Sequence, residues 1–503
     1  MLKLGSSMTT LLGSAKFRAA AFFLLLALLI RGAQFGNPVI QVDEQFYLLV
    51  GDRMWHGALP FVDVWDRKPW GLFALYAAIR LLGGEGIIQY QVVAALFAAA
   101  TAWMIWRLAR RVAPDRGAIF AGVIYLIFLM VHGGDGGQAP VFYNLLTAIA
   151  AWTIVRAIER PAFDRTAFGY SCAAMAIMGV ALQVKYSVLF EGVYFGLALM
   201  LLAWRRGTGI PALLGAAAIW VVLALLPTGL IFAYYAAIGH GQAFFFANFQ
   251  SILMRSPHAW GDMDRRIAKL FWRTVPLAAA ILIGLKVRAP VAGEDAWVRR
   301  FLLGWALAAL AGLIAFGTFH EHYTLPLLLP FAIAGAPAYA WLIRLPGRLP
   351  AVPALAIAVT LIGCWAGYKI VSETIPRRGN GSEMRAMAAI VNQHPGEGLF
   401  IFSGDPILYH MTGAPLLTKF AFPTQLSERV DAESVGQDTL VELQRVMALH
   451  PRFVATVDPP PVIEAEPARW AYMNGVLARD YRVVMKVRTG NRDRLLYERI
   501  ASR

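Results

Sequence analysis

The chain reads as an all-α polytopic membrane domain of about 11 transmembrane helices followed by a small C-terminal α/β extracytoplasmic domain, and three observations predict this. Of 503 residues, 58% are hydrophobic and only 15% charged, with a mean hydropathy of +0.56, a balance foreign to soluble domains. The apolar residues gather in stretches long enough to cross a hydrocarbon core, which takes roughly 20 helical residues each. Beyond about residue 372 these stretches stop and balanced, alternating sequence takes over.

Eleven candidate spans begin near residues 18, 86, 117, 141, 167, 188, 211, 271, 298, 324 and 350. The first resembles a signal peptide in length, but no small-residue cleavage pattern follows it, so it is expected to be a retained anchor. Basic short loops stay in the cytoplasm. Lys3, Lys16 and Arg18 precede the first span; Arg107, Arg110, Arg111 and Arg116 separate the second from the third. Arg156, Arg160 and Arg165 follow the fourth span, Arg205 and Arg206 the sixth, Lys286, Arg288, Arg299 and Arg300 the eighth, and Arg344 and Arg348 the tenth. These are alternate loops and share one side. An odd span count then places the tail, and the first outer loop at residues 36–85, on the opposite side, the periplasm of a bacterial inner membrane. The expected division is a transmembrane domain over residues 1–371 and a periplasmic α/β domain over 372–503.

Charge excludes one class of partner. The formal charge of +15 is spread over short loops that anchor to anionic lipid, and no single basic patch suited to nucleic acid forms. Cys172 and Cys364 both fall inside expected spans, which removes a disulfide framework or a cysteine metal site.

The first outer loop carries the chemistry. Asp43, Glu44 and Tyr47 precede the run Asp63-Val64-Trp65-Asp66-Arg67-Lys68-Pro69; ionisable groups are costly at a lipid boundary and mark function there. Residues 43–55 have the spacing of a short amphipathic helix, with Phe46, Leu49 and Val50 opposite Glu44, Gln45, Asp52 and Arg53. Residues 69–83 are apolar but too short to span, so a helix along the membrane surface is expected.

The order Asp43-Glu44, Tyr47, Gly51, Gly57, Pro60, Asp63, Lys68-Pro69, Gly71, followed by many spans, resembles the GT-C superfamily of polyprenyl-phosphate-sugar-dependent glycosyltransferases. Within it, the chain resembles the bacterial protein O-mannosyltransferase and aminoarabinose transferase group, including the rhizobial galacturonosyltransferases. The resemblance implies transfer of one sugar from a polyprenyl-phosphate donor to an extracytoplasmic acceptor, whether glycolipid, polysaccharide or protein, with membrane lipid as surroundings. It also implies that Asp43 is the general base. An acceptor hydroxyl must lose a proton as it attacks the anomeric carbon, and a carboxylate within reach can take it. Glu44 beside Asp43 opposes joint ionisation of the pair. The structural alternative for Asp43 is a helix cap.

The leaving phosphate needs positive charge. Lys68 is the family's Lys-Pro lysine; Lys185, in the short turn Gln183-Val184-Lys185-Tyr186-Ser187, is the second candidate, with snorkelling to the interface as its alternative. Aminoarabinose transferases tend to have a glutamate where this chain has Arg67, which adds a phosphate contact and removes a metal ligand, with Asp66 beside it. In Phe319-His320-Glu321-His322-Tyr323, the family's His-Tyr pair implies substrate contact through His322 and Tyr323. Two histidines and a glutamate also invite a divalent metal ion, but a spacing of two does not put both imidazoles on one helical face. No cofactor follows from the sequence, and the metal stays open.

The longest internal outer loop, near residues 240–273, interleaves aromatics with Arg255, His258, Asp262, Arg265 and Arg266; Arg255 is the phosphate candidate there, against an interfacial belt. Asp135, in the glycine-rich turn at 133–137, is a rim carboxylate and substrate-contact candidate. In the tail, residues 398–403 and 452–457 read as buried strands, 481–488 and 495–500 as a hairpin, and 383–392 and 433–449 as helices. These make a small domain over the outer mouth. The chief alternative is a polytopic transporter or flippase for a lipid-linked or small anionic substrate, which would need mid-span charges or repeats; apart from Glu191 the spans lack them. A ligase moving a whole glycan is the other rival.

Overall fold

The structure, a computed structural model, describes residues 15–255, 260–287, 294–342, 365, 368, 372, 375–461, 465–490 and 492–500. Among them, eight helices are long and apolar enough to cross a membrane: Ile87–Ala109, Ala139–Ile158, Arg165–Leu182, Tyr186–Arg205, Ile210–Ala237, Met263–Val287, Ala296–Phe316 and Glu321–Leu342. The expected spans near residues 18 and 117 are also helices, Ala15–Gly32 and Asp115–Val131. The span expected near residue 350 lies outside the described residues. The chain is a multi-pass membrane protein with a small C-terminal sheet.

Two compact units form. The first contains Met1–Ala33, Val92–Gly229 and Met263–Ile370 and is made of helices. At two of its contacts a glycine lets the helices approach closely, as suits association in lipid, where packing and not water exclusion drives contact. A Cβ on Gly117 would lie 2.4 Å from the Ala336 carbonyl oxygen, so the helices Asp115–Val131 and Leu325–Leu342 touch backbone to backbone. Gly179 does the same against Ala224, at 2.7 Å from its carbonyl oxygen. Glu191, the one central charge expected, sits in the first turn of Leu189–Arg205 instead, where Trp305 Nε1 donates to its carboxylate at 2.6 Å.

The second unit contains Gln34–Gln91, Leu230–Asp262 and Val371–Arg503. Its sheet has the order β1-β2-β4-β3, with β1 (Leu399–Ile401) parallel to β2 (Phe453–Asp458) and β4 (Arg492–Arg499) antiparallel to both β2 and β3 (Tyr481–Thr489). The β3–β4 hairpin turns at Gly490 with φ +61°, which a glycine adopts without steric cost. Helices Ser382–Val391 and Thr439–Ala448 stand where spacing predicts them. Helix Pro467–Asp480 is an addition to the expected elements; it buries Trp470, Met473, Val476 and Leu477 at helical spacing, but Asn474-Gly475 interrupts the pattern in the sequence.

The segment expected as the first outer loop folds as two helices, Val42–Trp55 and Trp70–Arg80. They close on each other at Gly51, where a Cβ would lie 2.6 Å from the Ala77 amide nitrogen. Trp55 Nε1 donates to the Ala77 carbonyl at 2.8 Å. The first helix departs from the amphipathic expectation: Glu44 and Gln45 are as buried as Phe46 and Leu49. For Gln45 the reason is that the tail supplies polar partners. Gln45 Nε2 donates to Asp405 at 2.9 Å, its Oε1 accepts from the Ile407 amide at 3.3 Å, and Arg494 Nε reaches the other Asp405 oxygen at 2.6 Å. The expected loop near 240–273 is largely helical, as Gly241–Phe245, a π turn at Phe246–Gln250, Ser251–Leu253 and then Trp260–Val287. Its aromatic and basic residues are helix-compatible, and nothing between 241 and 253 is a proline.

The Gly51 contact yields a direct expectation. Gly51→Ala should lower stability by about 1–3 kcal/mol, the usual cost of forcing an extra carbon into a packed contact, measurable by thermal unfolding in detergent. A variant as stable as the parent would show that the two helices separate freely.

Candidate active site

The site in the second unit is assembled from the ends of the two loop helices and the turn between them. Gln41, in extended conformation, occupies the N-cap of Val42–Trp55. Asp43 lies inside the first turn, where the helix N-terminus favours a carboxylate. Its Oδ1 accepts from Tyr47 Oη at 3.3 Å, one turn further along. The intervening turn is tight: Phe61 takes φ 71° and its amide donates to the Val64 carbonyl at 2.8 Å. Asp63 accepts from the Leu59 amide at 2.7 Å and so closes the turn. Trp65 is then pinned by tail residues, its amide on the Lys419 carbonyl at 2.8 Å and its carbonyl on Gln425 Nε2 at 3.1 Å.

This route delivers Lys68 to the acid. Its Nζ lies 2.9 Å from Asp66 Oδ2 and 3.3 Å from Asp43 Oδ1, and stands over the Tyr47 and Phe422 rings at 5.2 and 5.0 Å from their centroids. Asp66 is buried and anchored, its other oxygen accepting from the Arg67 amide at 2.5 Å. Burial alone would lower the Lys68 pKa, but Asp66 and then Asp43 more than offset it, so the ammonium holds its proton above the ordinary lysine range. The Lys68 and Asp43 side chains are 24% and 23% exposed. Glu44 is fully buried, so the acidic pair is split between an open member and an enclosed one.

Arg67 leads to a second charged cluster. Its Nη1 lies 2.9 Å from Asp431 Oδ1 and its Nη2 donates to Ser434 Oγ at 2.6 Å. Arg255 Nε approaches the same Asp431 oxygen at 3.3 Å, while Thr424 Oγ1 donates to the other at 2.5 Å. Burial pushes the Asp431 carboxyl up, yet the two guanidiniums and the Thr424 hydroxyl outweigh it and hold its pKa down at about 2. Asp431, Ser434 and Thr424 carry no local functional signal in the sequence, because they meet Arg67 or one another only in the folded chain.

The remaining candidates belong to the membrane-helix unit. Lys185 caps the turn Tyr186–Val188, and its Nζ stands 4.2 Å from the centroid of the Tyr323 ring. His322 packs at 4.6 Å from that ring, with His320 stacked on His322 at 5.8 Å. Asp135 is buried in a turn whose shape is fixed by Arg31: the buried guanidinium donates to the Gly134 carbonyl at 2.5 Å and also to that of Gly136. Arg31 looks like one more terminal anchor in the sequence. Glu191, Ser187 and Tyr323 line one small cleft between helices.

Among the described residues a divalent metal ion finds no matching donor set: no three His, Cys, Asp or Glu side chains come together to hold one. Arg266 bonds His320 Nε2 at 2.9 Å, and Arg273, at 2.7 Å, and Lys269 engage Glu321. Between Asp43 and Asp66 the Lys68 ammonium already stands where a cation would.

The fold is the GT-C fold of membrane glycosyltransferases. Residues 67–232 match the family model described as dolichyl-phosphate-mannose-protein mannosyltransferase. The structure is similar to ArnT from Cupriavidus metallidurans in the apo state, with a TM-score of 0.60 at 15% identity, over 97% of this chain and 99% of that one. It is similar to the same protein bound to undecaprenyl phosphate, with a TM-score of 0.58 at 16% identity and again 97% and 99% coverage. The oligosaccharyltransferase of Archaeoglobus fulgidus tethered with an acceptor peptide has a TM-score of 0.50 at 11% identity, over 89% of this chain and 70% of that one. Comparison with curated protein sequences gives no match.

The Asp431 cluster sets a pH dependence. A carboxyl whose pKa falls from 3.8 unfolded to about 2 folded contributes stability that is fully present above pH 4 and lost as pH falls through about 2. The contribution is roughly 2 kcal/mol. Asp431→Asn should therefore unfold at lower temperature than the parent between pH 5 and 8, and the gap should close in acid. A gap unchanged at pH 2.5 would mean that the carboxylate charge is not what holds the cluster.

Proposed function

We propose that the chain is a membrane glycosyltransferase that moves a single sugar from a polyprenyl-phosphate donor to an extracytoplasmic acceptor, a glycolipid, polysaccharide or protein. One observation carries the reading: a lysine ammonium held between two carboxylates at 2.9 and 3.3 Å, one of them open, on a fold shared with a protein that binds undecaprenyl phosphate. Asp43 is assigned as general base. It takes the proton of the acceptor hydroxyl as that oxygen bonds to the anomeric carbon; the bond from that carbon to the phosphate oxygen breaks, and polyprenyl phosphate leaves with the electron pair. Lys68 remains cationic throughout the neutral range because Asp66 and Asp43 raise its pKa, so it is available to stabilise the leaving anion.

Arg67 and Arg255 share one carboxylate between two guanidiniums, which leaves net positive charge for a donor phosphate. Tyr47 holds Asp43 by its hydroxyl, and Asp66 holds Lys68. Glu44, fully buried, is assigned to tuning Asp43. Lys185, His322, Tyr323 and Asp135 are assigned as further substrate contacts from their chemistry. Alternation of basic and non-basic loops supports a bacterial inner membrane with the site and the tail on the periplasmic side.

The test is transfer by purified protein from a panel of radiolabelled polyprenyl-phosphate sugars. Asp43→Asn should lower kcat by about 10²–10⁴-fold with little change in donor KM, the size expected for losing a general base. Transfer unchanged in that variant removes Asp43 from the role. A parent that consumes no lipid-linked donor but moves a solute into proteoliposomes is a transporter.

A further inference from the structure

Within the membrane-helix unit, the ends of two helices on the basic-loop side bring together more positive charge than the protein neutralises. Arg107 lies in the last turn of Ile87–Ala109 and Arg156 in the last turn of Ala139–Ile158. Arg111, just beyond the first of these helices, pairs with Glu159 at 2.9 Å, and Arg156 pairs with the other oxygen of the same carboxylate at 2.7 Å. Arg107 has no acidic partner among the described residues; its guanidinium lies 3.9 Å from the Trp152 centroid and 4.8 Å from that of Trp103. Arg111 stands over Trp152 as well, at 5.1 Å. Both Arg111 and Arg156 repel the Arg107 charge.

Three guanidiniums against one carboxylate leave a net charge of two, concentrated between two indoles. An aromatic belt explains tryptophan beside arginine at an interface, but not three arginines crowded onto one glutamate. Neighbouring cations are committed elsewhere: Arg160 pairs with Asp164 at 2.6 Å, and Arg206 caps a helix end by donating to the Ala157 and Ile158 carbonyls. Arg111 and Arg156 are 36% and 43% exposed, so the cluster is open to a lipid headgroup, and basic pockets between membrane helices bind anionic headgroups.

We infer that Arg107, Arg111 and Arg156, braced by Trp103 and Trp152, form a binding site for a phospholipid headgroup carrying two negative phosphodiesters. The charge of the headgroup follows from the charge of the cluster. The phosphate oxygens accept from the guanidinium forks, which match them in geometry, and the indoles sit at headgroup depth beside the glycerol. The site is independent of the proposed transfer reaction, and its test reads lipid binding and not catalysis.

Delipidated protein is titrated with cardiolipin, phosphatidylglycerol or phosphatidylcholine in detergent micelles, with bound lipid counted by native mass spectrometry and stability followed by thermal unfolding. Cardiolipin should be retained and raise the unfolding temperature, phosphatidylglycerol less so, phosphatidylcholine not at all. Arg107→Gln should weaken cardiolipin retention about 5-fold, the worth of one cation near a phosphate. Arg160→Gln, which removes a cation already paired, should leave it within about 2-fold. Equal loss in both variants would assign the effect to diffuse charge and overturn the site, as would an equal thermal shift with inorganic phosphate alone. Should Arg107→Gln fail to fold, Glu159→Gln decides: freeing two guanidiniums should tighten cardiolipin retention, and unchanged or weaker retention overturns the inference.

Discussion

The second unit turns on one interaction, the Lys68 ammonium shared by Asp43 and Asp66. Neither carboxylate could be held near the other without it, since two like charges in a partly buried setting repel strongly. Lys68 could not be buried against Tyr47 and Phe422 without them. Charge-assisted hydrogen bonds of this kind contribute roughly 1.5–3 kcal/mol each. The partners nevertheless differ in kind: Asp66 is buried and anchored by a backbone amide, whereas Asp43 is open and held by a phenol hydroxyl. The lysine is thus fixed from one side and free to meet a ligand from the other.

That geometry depends on backbone contacts some distance away. The close approach at Gly51 sets the spacing of the two helices that bear Asp43 and follow Lys68. Phe61, at positive φ, is kept there by packing against Phe73, Tyr235 and Phe244. Strain at such a residue persists only where its surroundings over-determine it. The aromatic cluster therefore acts as the mould for the turn that carries Asp63 to Lys68.

Much of this was legible in the sequence, and for physical reasons. Long apolar stretches cannot fold otherwise than as helices in lipid, so Ala139–Ile158 or Ala296–Phe316 needed only counting. The short helix Trp70–Arg80 was legible because it was too short to span. The burial of Val42–Trp55 is not legible in the sequence, since Gln45 reads as solvent-facing until Asp405 and Ile407, about 360 residues onward, supply its hydrogen bonds. The candidate residues followed the same divide. Asp43, Asp66 and Lys68 stand in one short segment and were read together. Asp431, Ser434 and Thr424 come to Arg67 from a distant part of the chain, and no local signal announces them.

Those long-range contacts share a pattern. Asp431 meets Arg67, Asp405 meets Gln45, the Ala414 carbonyl accepts from Arg53 at 2.6 Å, and Gln425 and Lys419 clamp Trp65. In each case a polar group from residues 36–85 finds its partner beyond residue 372. Deleting the tail would leave the buried Gln45 amide, the Arg53 and Arg67 guanidiniums and the Trp65 backbone without these partners, each costing on the order of 1–3 kcal/mol. The loop that bears Asp43 and Lys68 is too small to bury itself, and the α/β segment supplies the polar half of its core. The tail is in this sense part of the candidate site, because the Trp65 backbone, three residues before Lys68, is held on both sides by hydrogen bonds from Lys419 and Gln425.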